Sequence, residues 1–290
     1  MVARLYQYKI PLDTPRWPFR EGLILQWNDG WGEIAPLPGF SSETLAEALE
    51  ETLGLLPNLC FANPTLPSVR FGLSCAALPF SQKPVNLSIC ALDPPLNCPL
   101  IPVVKLKLGH LSVPDAIGLV KRHYKKSRLR LDCNRAWTLD QALSFASHFE
   151  KTDFDYLEEP VQNFQDLYKF SQITQFPIGV QESLLDSPWQ EIPTLKAVIV
   201  KPMILGTIPE VPKGVQLIFS SSYETGLGLL HLARLSAHSP FPPGIDTYRA
   251  LKGDILSSPI VCSGGIFSWT PQSLTPPINV LKLCLIASVP

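Results

Sequence analysis

Six short runs rich in apolar and β-branched residues recur in this 290-residue chain, at residues 103–108, 129–132, 155–158, 178–181, 197–201 and 216–220. Intervals of roughly twenty to thirty residues are what a strand followed by a helix requires, so six such runs in series predict a parallel sheet. An open doubly wound sheet and a closed barrel share that period. The ends of the runs decide between them, because nearly every one finishes in a charged or polar group. Side chains converging from many strands at one C-terminal rim are what a TIM-type barrel provides. The expected fold class is therefore α/β, with a barrel over residues 96–261.

The first ~95 residues are less regular. A strand-like run at 23–27 meets Asn28-Asp29-Gly30, an Asp-Gly hairpin signal. Trp31-Gly32-Glu33-Ile34 and a Pro/Gly-rich loop follow, and then a helix expected to start at Ser41 or Ser42 and run through Leu49. This reads as a small α+β domain over residues 1–95. Thirty prolines, several in near-pairs, punctuate a compact chain with stiff connections. Between Lys201 and Ser220, Pro202, Pro209 and Pro212 leave too little unbroken chain for a full helix.

Composition excludes several function classes. A 46% hydrophobic and 17% charged chain has the makings of a large core. Its 24 basic and 25 acidic side chains build no field that would recruit nucleic acid or an anionic membrane, so a small-molecule partner is expected. The seven cysteines form no C-x-x-C pair, which argues against a zinc knuckle or disulfide framework, and they are read as mostly buried thiols. The opening residues soon meet Lys9 and Asp13, and no run approaches the ~20 residues of a membrane span. The expectation is a cytoplasmic protein, with a weak preference for a monomer.

The chemistry lies in the strand ends. Lys105 and Lys107 are two apart, so alternation along a strand sets both ammonium groups on one face. Asp132 and Asn134 repeat that spacing, and Glu158-Glu159, Gln181-Glu182, Lys201 and Ser220-Ser221-Ser222 close the later runs. Oxygen ligands gathered from several strands suit a hard cation such as Mg2+, which leaves positions open for a substrate carboxylate. A proton beside a carboxylate is very weakly acidic, so its removal needs a Lewis acid for the enolate and a neutral lysine as base. Each motif alone has a plainer reading: a lone Lys-x-Lys is usually a solvated strand face, a lone Glu-Glu-Pro a helix-entry loop, and a serine run a polar turn; yet hydroxyls and backbone N–H groups at a strand's C-terminal end suit a carboxylate, so Ser220, Ser221 and Ser222 are expected at the substrate. His110 after Gly109 reads as a loop residue, and Trp31 and Trp137 as packing aromatics.

In their order and spacing the motifs resemble those of the enolase superfamily and, within it, the o-succinylbenzoate synthases. The matching stretches are Trp31-Gly32-Glu33-Ile34-Ala35-Pro36-Leu37-Pro38-Gly39-Phe40-Ser41, Ser68-Val69-Arg70-Phe71-Gly72-Leu73-Ser74-Cys75-Ala76, Lys105-Leu106-Lys107-Leu108-Gly109 and residues 129–138. They continue with Leu157-Glu158-Glu159-Pro160, Val200-Lys201-Pro202 and Ser220-Ser221-Ser222-Tyr223-Glu224. The resemblance implies a (β/α)7β barrel under an α+β capping domain to which a C-terminal segment, about 262–290, returns. It implies Lys107 as the base, Lys201 as the lysine on the opposite face of the substrate, Asp132 and Glu158 as ligands of one Mg2+, and Lys105 and Asn134 as support. The implied reaction is syn dehydration of 2-succinyl-6-hydroxy-2,4-cyclohexadiene-1-carboxylate to 2-succinylbenzoate, toward menaquinone or phylloquinone.

One departure stands out. The family's third ligand is usually the Asp of an Asp-Glu-Ser triplet, and here the triplet reads Gln181-Glu182-Ser183. Gln181 is the preferred third ligand through its amide oxygen, with Glu182 as the alternative if a bulge or shifted register turns it inward. Two other functions fit the residues: racemisation or epimerisation of N-acylated amino acids or dipeptides by Lys107 and Lys201 as paired bases, and a barrel that binds ligand without turnover.

Overall fold

A computed structural model describes residues 2–96, 100–124, 126–272 and 278–289. The chain opens with three antiparallel strands, β1 (Ala3–Pro11), β2 (Phe19–Trp27) and β3 (Gly30–Ile34), followed by α1 (Leu45–Leu55) and α2 (Pro67–Ala76). β4 (Val85–Ser88) comes next, and then the parallel strands β5 (Ala91–Leu92), β6 (Val103–Lys107), β7 (Arg128–Asp132), β8 (Tyr156–Glu158), β9 (Ile178–Val180), β10 (Leu195–Val200) and β11 (Gln216–Phe219). Between them lie α3 (Val113–His123), α4 (Leu139–Ala146), α5 (Phe164–Thr174) and the single turn α6 (Pro202–Leu205). α7 (Gly226–Ser236), β12 (Val261–Ser263), β13 (Ile266–Trp269) and β14 (Cys284–Val289) complete the order.

All six expected barrel strands are present, each within two residues of its expected ends. The sheet runs in the order β11-β10-β9-β8-β7-β6-β5. It closes through Pro243 and Gly244: Gly244 bridges Ser220 in parallel, and the Cys90 N–H donates to the Pro243 carbonyl at 2.9 Å. That segment is the eighth stave of the ring, so the architecture is a (β/α)7β TIM-type barrel with an α+β cap. Neither the first stave nor the last has a β-rich run in sequence. Ala91–Leu92 is the edge strand of the seven-stranded sheet.

Alternation along the strands builds two layers. Outward residues such as Leu106, Leu131, Leu157, Val180 and Val198 pack on Val120, Phe145 and Phe170 of the surrounding helices. Inward, Tyr156, Ala197, Ile199 and Ile218 fill the ring. The chain after Lys201 makes only the one-turn α6 before irregular backbone leads to β11, as the prolines there require.

In the cap, one face of the β1–β3 sheet, with Leu5, Leu23, Leu25 and Ile34, packs on α1 and α2. The other face, with Tyr8, Ile24 and Trp31, packs on α7 residues Leu227 and Leu230. β14 pairs with β1 and extends the cap sheet from the C-terminal end of the chain. α2 lies so close to β3 that a Cβ on Gly32 would overlap the Gly72 carbonyl oxygen.

Helix α1 corrects one expectation, since it starts at Thr44 rather than at Ser41 or Ser42. Thr44 and Glu47 form a reciprocal capping box: the Glu47 N–H donates to Thr44 Oγ1 at 3.3 Å, and the Thr44 N–H donates to Glu47 Oε2 at 2.7 Å. Ser41 is unavailable because its hydroxyl accepts from the Leu37 N–H and closes the preceding loop. The cysteines correct a second: of the six described, only Cys90 and Cys133 are buried, and Cys60 and Cys284 are exposed because they lie on a cap turn and an edge strand. Cys98 falls outside the described residues.

Candidate active site

Parallel register sets Lys107 directly beside Asp132, and Asp132 beside Glu158, on β6, β7 and β8. One layer lower, Lys105 is beside Arg130 and Arg130 beside Tyr156. The ammonium groups of both lysines therefore meet the carboxylates of the next two strands. Lys105 Nζ is 2.5 Å from Glu158 Oε2 and 3.3 Å from Asp132 Oδ2, and Lys107 Nζ is 2.5 Å from Asp132 Oδ2. Asp132 and Glu158 are each 1% exposed.

Burial and mutual charge set the protonation preferences. Burial disfavours the Asp132 anion, but Lys107 and Lys105 beside it more than reverse that and hold its carboxyl well below the ordinary range. Burial pushes Glu158 up, and Asp132 adds to the push. Burial also opposes the Lys107 ammonium, yet Asp132 keeps its pKa above the ordinary value. Lys201 goes the other way, lowered by burial and then by the charge of Lys107.

Lys201, just past β10, stands four staves from β6 in the eight-membered ring, on the opposite wall. Its Nζ donates to Gln181 Oε1 at 2.8 Å and sits 5.5 Å from the Phe40 ring of the cap. Trp17 joins this roof, packed against Phe40 and Tyr223. Asn134 links two parts of the site: its Oδ1 accepts from Lys107 Nζ at 3.1 Å, and its Nδ2 donates to Glu182 Oε1 at 3.2 Å.

A narrow cavity of about 80 Å3 is lined by Lys105, Lys107, Lys201, Ser220, Ser221 and Tyr223, among others. A far larger cleft, of about 740 Å3, lies at the opposite ends of the strands around Arg128, Asp155, Pro177 and Leu195, away from the paired lysines and carboxylates. Of the three serines expected at the substrate, Ser222 is not brought to the cavity. Its N–H and hydroxyl both donate to the buried Glu224 carboxylate at 2.6 Å, which turns it into the protein. The reading of the sequence missed Tyr223, Asp246 and Thr247 in the lining; the last two follow the closing stave, which carries no strand-like pattern.

The strand expected at 178–181 ends at Val180. Gln181 has φ −140° and ψ −62°, and Glu182 to Leu184 form a 3-10 turn, so the alternation that would separate Gln181 from Glu182 does not extend to them. Glu182 Oε2 is buried without a hydrogen-bond partner. Among the described residues no three His, Cys, Asp or Glu side chains stand grouped for a metal; the two carboxylates nearest to that arrangement, Asp132 and Glu158, share the Lys105 ammonium.

A closed (β/α)7β barrel, an α+β cap, and a lysine pair facing carboxylates at the strand ends define an enolase-superfamily protein. Residues 100–200 match the enolase C-terminal domain-like family, and residues 1–80 the MenC N-terminal domain. The chain is 33% identical to the o-succinylbenzoate synthase of Klebsiella pneumoniae (strain 342), over 96% of this chain and 97% of that one. It is 34% identical to the enzyme of that name from Haemophilus influenzae, over 87% and 91%. The chain belongs to the o-succinylbenzoate synthase family. The fold is shared with solved structures at lower identity. The o-succinylbenzoate synthase of Thermosynechococcus elongatus BP-1, in complex with magnesium, gives a TM-score of 0.66 at 22% identity, covering 90% of this chain and 95% of that one. The L-Ala-D/L-Glu epimerase of Bacillus subtilis gives 0.69 at 18%, covering 99% and 98%.

Proposed function

We propose that this chain catalyses the magnesium-dependent syn dehydration of 2-succinyl-6-hydroxy-2,4-cyclohexadiene-1-carboxylate to 2-succinylbenzoate, a step toward menaquinone or phylloquinone. The observation that carries the reading is the side-by-side register of Lys107, Asp132 and Glu158, with Lys201 on the facing wall, in a chain of this family.

The residues fit a hard divalent cation. Asp132 and Glu158 are two buried carboxylates already sharing one positive group, and the turn at 181–182 adds an amide oxygen and a carboxylate oxygen with no partner. Bound there, Mg2+ would supply Lewis-acid stabilisation of the charge that develops when the proton beside the carboxylate is removed. Lys107 is the base. It is tied to Asp132 as it stands; with that carboxylate otherwise engaged and positive charge nearby, its neutral form is favoured. The same nitrogen, now protonated, returns its proton to the departing hydroxyl, which keeps the elimination on one face. Lys201, held by Gln181 and roofed by Phe40, offers its charge to the other face. Ser220 and Ser221, at the end of β11, are the polar contacts for the substrate.

The cap, expected over residues 1–95 with about 262–290, excludes water, and residues 96–261 carry most of the barrel; the pairing of β14 with β1 supports this division, and the membership of β5 in the parallel sheet favours a change of unit near residue 90. The protein works as a cytoplasmic monomer on a small molecule. Among the described residues no helix is long and apolar enough to cross a membrane.

Turnover of the cyclohexadiene substrate by purified protein, with and without Mg2+ and beside Lys107→Ala, tests the proposal. Magnesium-dependent 2-succinylbenzoate formation that disappears in the variant supports it. Absence of turnover by folded protein, together with deuterium exchange at the α-carbon of an N-acylamino acid, replaces it with racemisation by the same lysines.

A further inference from the structure

A second space, away from the paired lysines and carboxylates, opens where the cap meets the barrel. It measures about 740 Å3 and lies between α2, the loop after it, the turn α6 with the chain that follows, and α7. That is the size of a small-molecule site, which commonly forms at a domain boundary. Phe71, Leu78, Pro79, Pro202, Ile208 and Leu235 make much of its wall apolar. Among the described residues that line it, the nitrogen bases are Arg70, His231, Arg234 and His238, and none is an aspartate or glutamate.

Arg234 is the group placed to meet a ligand. Its guanidinium carbon lies 4.5 Å from the centre of the Phe80 ring and 5.9 Å from that of Trp269, and Nη2 donates to the Ser81 carbonyl at 2.5 Å. Two aromatic rings and one hydrogen bond thus hold the fork in place. Among the described residues Nε and Nη1 have no acceptor, and no carboxylate pairs with the charge. Burial lowers the pKa of the group, the sign of a cation partly stripped of water with no anion in exchange. The neighbouring Cys75 thiol, pushed up to about 12 by burial, stays neutral and supplies none. His231 is neutral at pH 7, because burial pushes it down to about 4, and its Nε2 is taken by the Trp31 carbonyl. A phosphate group would leave most of this wall unused. A carboxylate on an apolar body uses both the fork and the hydrocarbon.

We propose that this space is a second, non-catalytic binding site for a monocarboxylate with an apolar ring or alkyl chain, its carboxylate taken by Arg234 and its body laid between α2 and α6–α7. The inference is independent of the reaction proposed above. A ligand there touches both units of the molecule. Pro202 in the wall directly follows Lys201, whose carbonyl accepts the Ile204 and Leu205 N–H groups at 2.9 Å each, so one turn carries the facing-wall lysine and part of the cavity wall. Occupancy braces cap against barrel through that turn and raises the melting temperature.

The test is isothermal titration calorimetry of the full chain with 4-phenylbutyrate and, separately, decanoate. At least one should bind at one equivalent and raise the melting temperature, the tighter of the two showing whether the body is a ring or a chain. The uncharged 4-phenylbutyramide should bind at least ~10-fold more weakly than its acid, and Arg234→Gln should weaken the acids by a similar factor. Ser74→Trp, which fills the cavity from an exposed position on α2 and leaves Arg234 unchanged, should remove binding from protein that circular dichroism shows to be folded. Lys107→Ala should keep the affinity within about twofold, since the active site is not the one being filled. Equal affinity for acid and amide, wild-type affinity in Ser74→Trp, loss of binding in Lys107→Ala, or no binding of either acid by the folded wild type overturns the inference.

Discussion

Glu33 of β3 and Thr225, the residue before α7, join cap to barrel: Glu33 Oε2 accepts from Thr225 Oγ1 at 2.6 Å and from the Gly228 N–H at 3.1 Å. Thr225 makes no side-chain cap of its own for α7, so the Glu33 carboxylate takes the Thr225 and Gly228 N–H groups while the Gly226 N–H donates to Asp254 Oδ1, and the helix dipole favours negative charge at that end. Tyr8 donates to the same carboxylate at 2.5 Å. Gly228 is required there, because a Cβ would come within 2.7 Å of Glu33 Oε2.

Glu33→Gln replaces an anion that accepts from four groups with an amide that must present N–H to some of them. Loss of charged hydrogen bonds at a buried site predicts destabilisation of about 1.5–3 kcal/mol, read as a lower urea midpoint with little change in slope. An unchanged midpoint would mean that the apolar packing around Ile24 and Leu230 alone holds the cap on.

Lys107→Ala should lower kcat by roughly 10²–10⁴-fold, the usual worth of a positioned acid–base group, with the fold intact. The checking measurement is the kcat/KM ratio in saturating Mg2+, together with loss of solvent exchange at the proton beside the carboxylate.

Gly32→Ala should destabilise by about 1–3 kcal/mol or more, since the added methyl overlaps backbone of α2 rather than a movable side chain. A thermal scan against wild type decides it; a matched melting temperature would mean that α2 can slide off β3 at little cost.

Acid sensitivity follows from His231 on α7, whose Nε2 meets the Trp31 carbonyl at 2.8 Å. Burial pushes its imidazole down to about 4. The unfolded chain, titrating near 6.5, takes up the proton first, so this contribution to stability is fully present above about pH 6.5 and is lost as the pH falls toward 4. His231→Gln should flatten that segment of a stability-versus-pH profile measured by denaturant titration.

Much of the site was legible because parallel strands obey simple arithmetic. A spacing of two puts Lys105 and Lys107 on one face, and hydrophobic runs of four to six residues marked six staves within two residues of their ends. Where local pattern was weak, reading failed. Ala91–Leu92 is too short to show alternation, and Pro243–Gly244 joins the ring through a single bridge at Gly244 and not as a strand; both take their places because the ring needs partners at its edges. Ser41 is as good a helix cap as Thr44 in isolation, and the loop that uses its hydroxyl decided against it.

The sequence by itself determined the period of the strands, the identity of the groups at their ends and the family to which they belong, because these depend on residues near one another in the chain. Only the tertiary structure decided that Glu33 meets a helix start 192 residues away, and that Gln181 and Glu182 are placed by a clamp from Glu159 and Arg135 rather than by strand alternation. The physical reason is that a buried polar group must find its partner wherever packing puts one, and that address is set by the closed ring and not by neighbours in sequence.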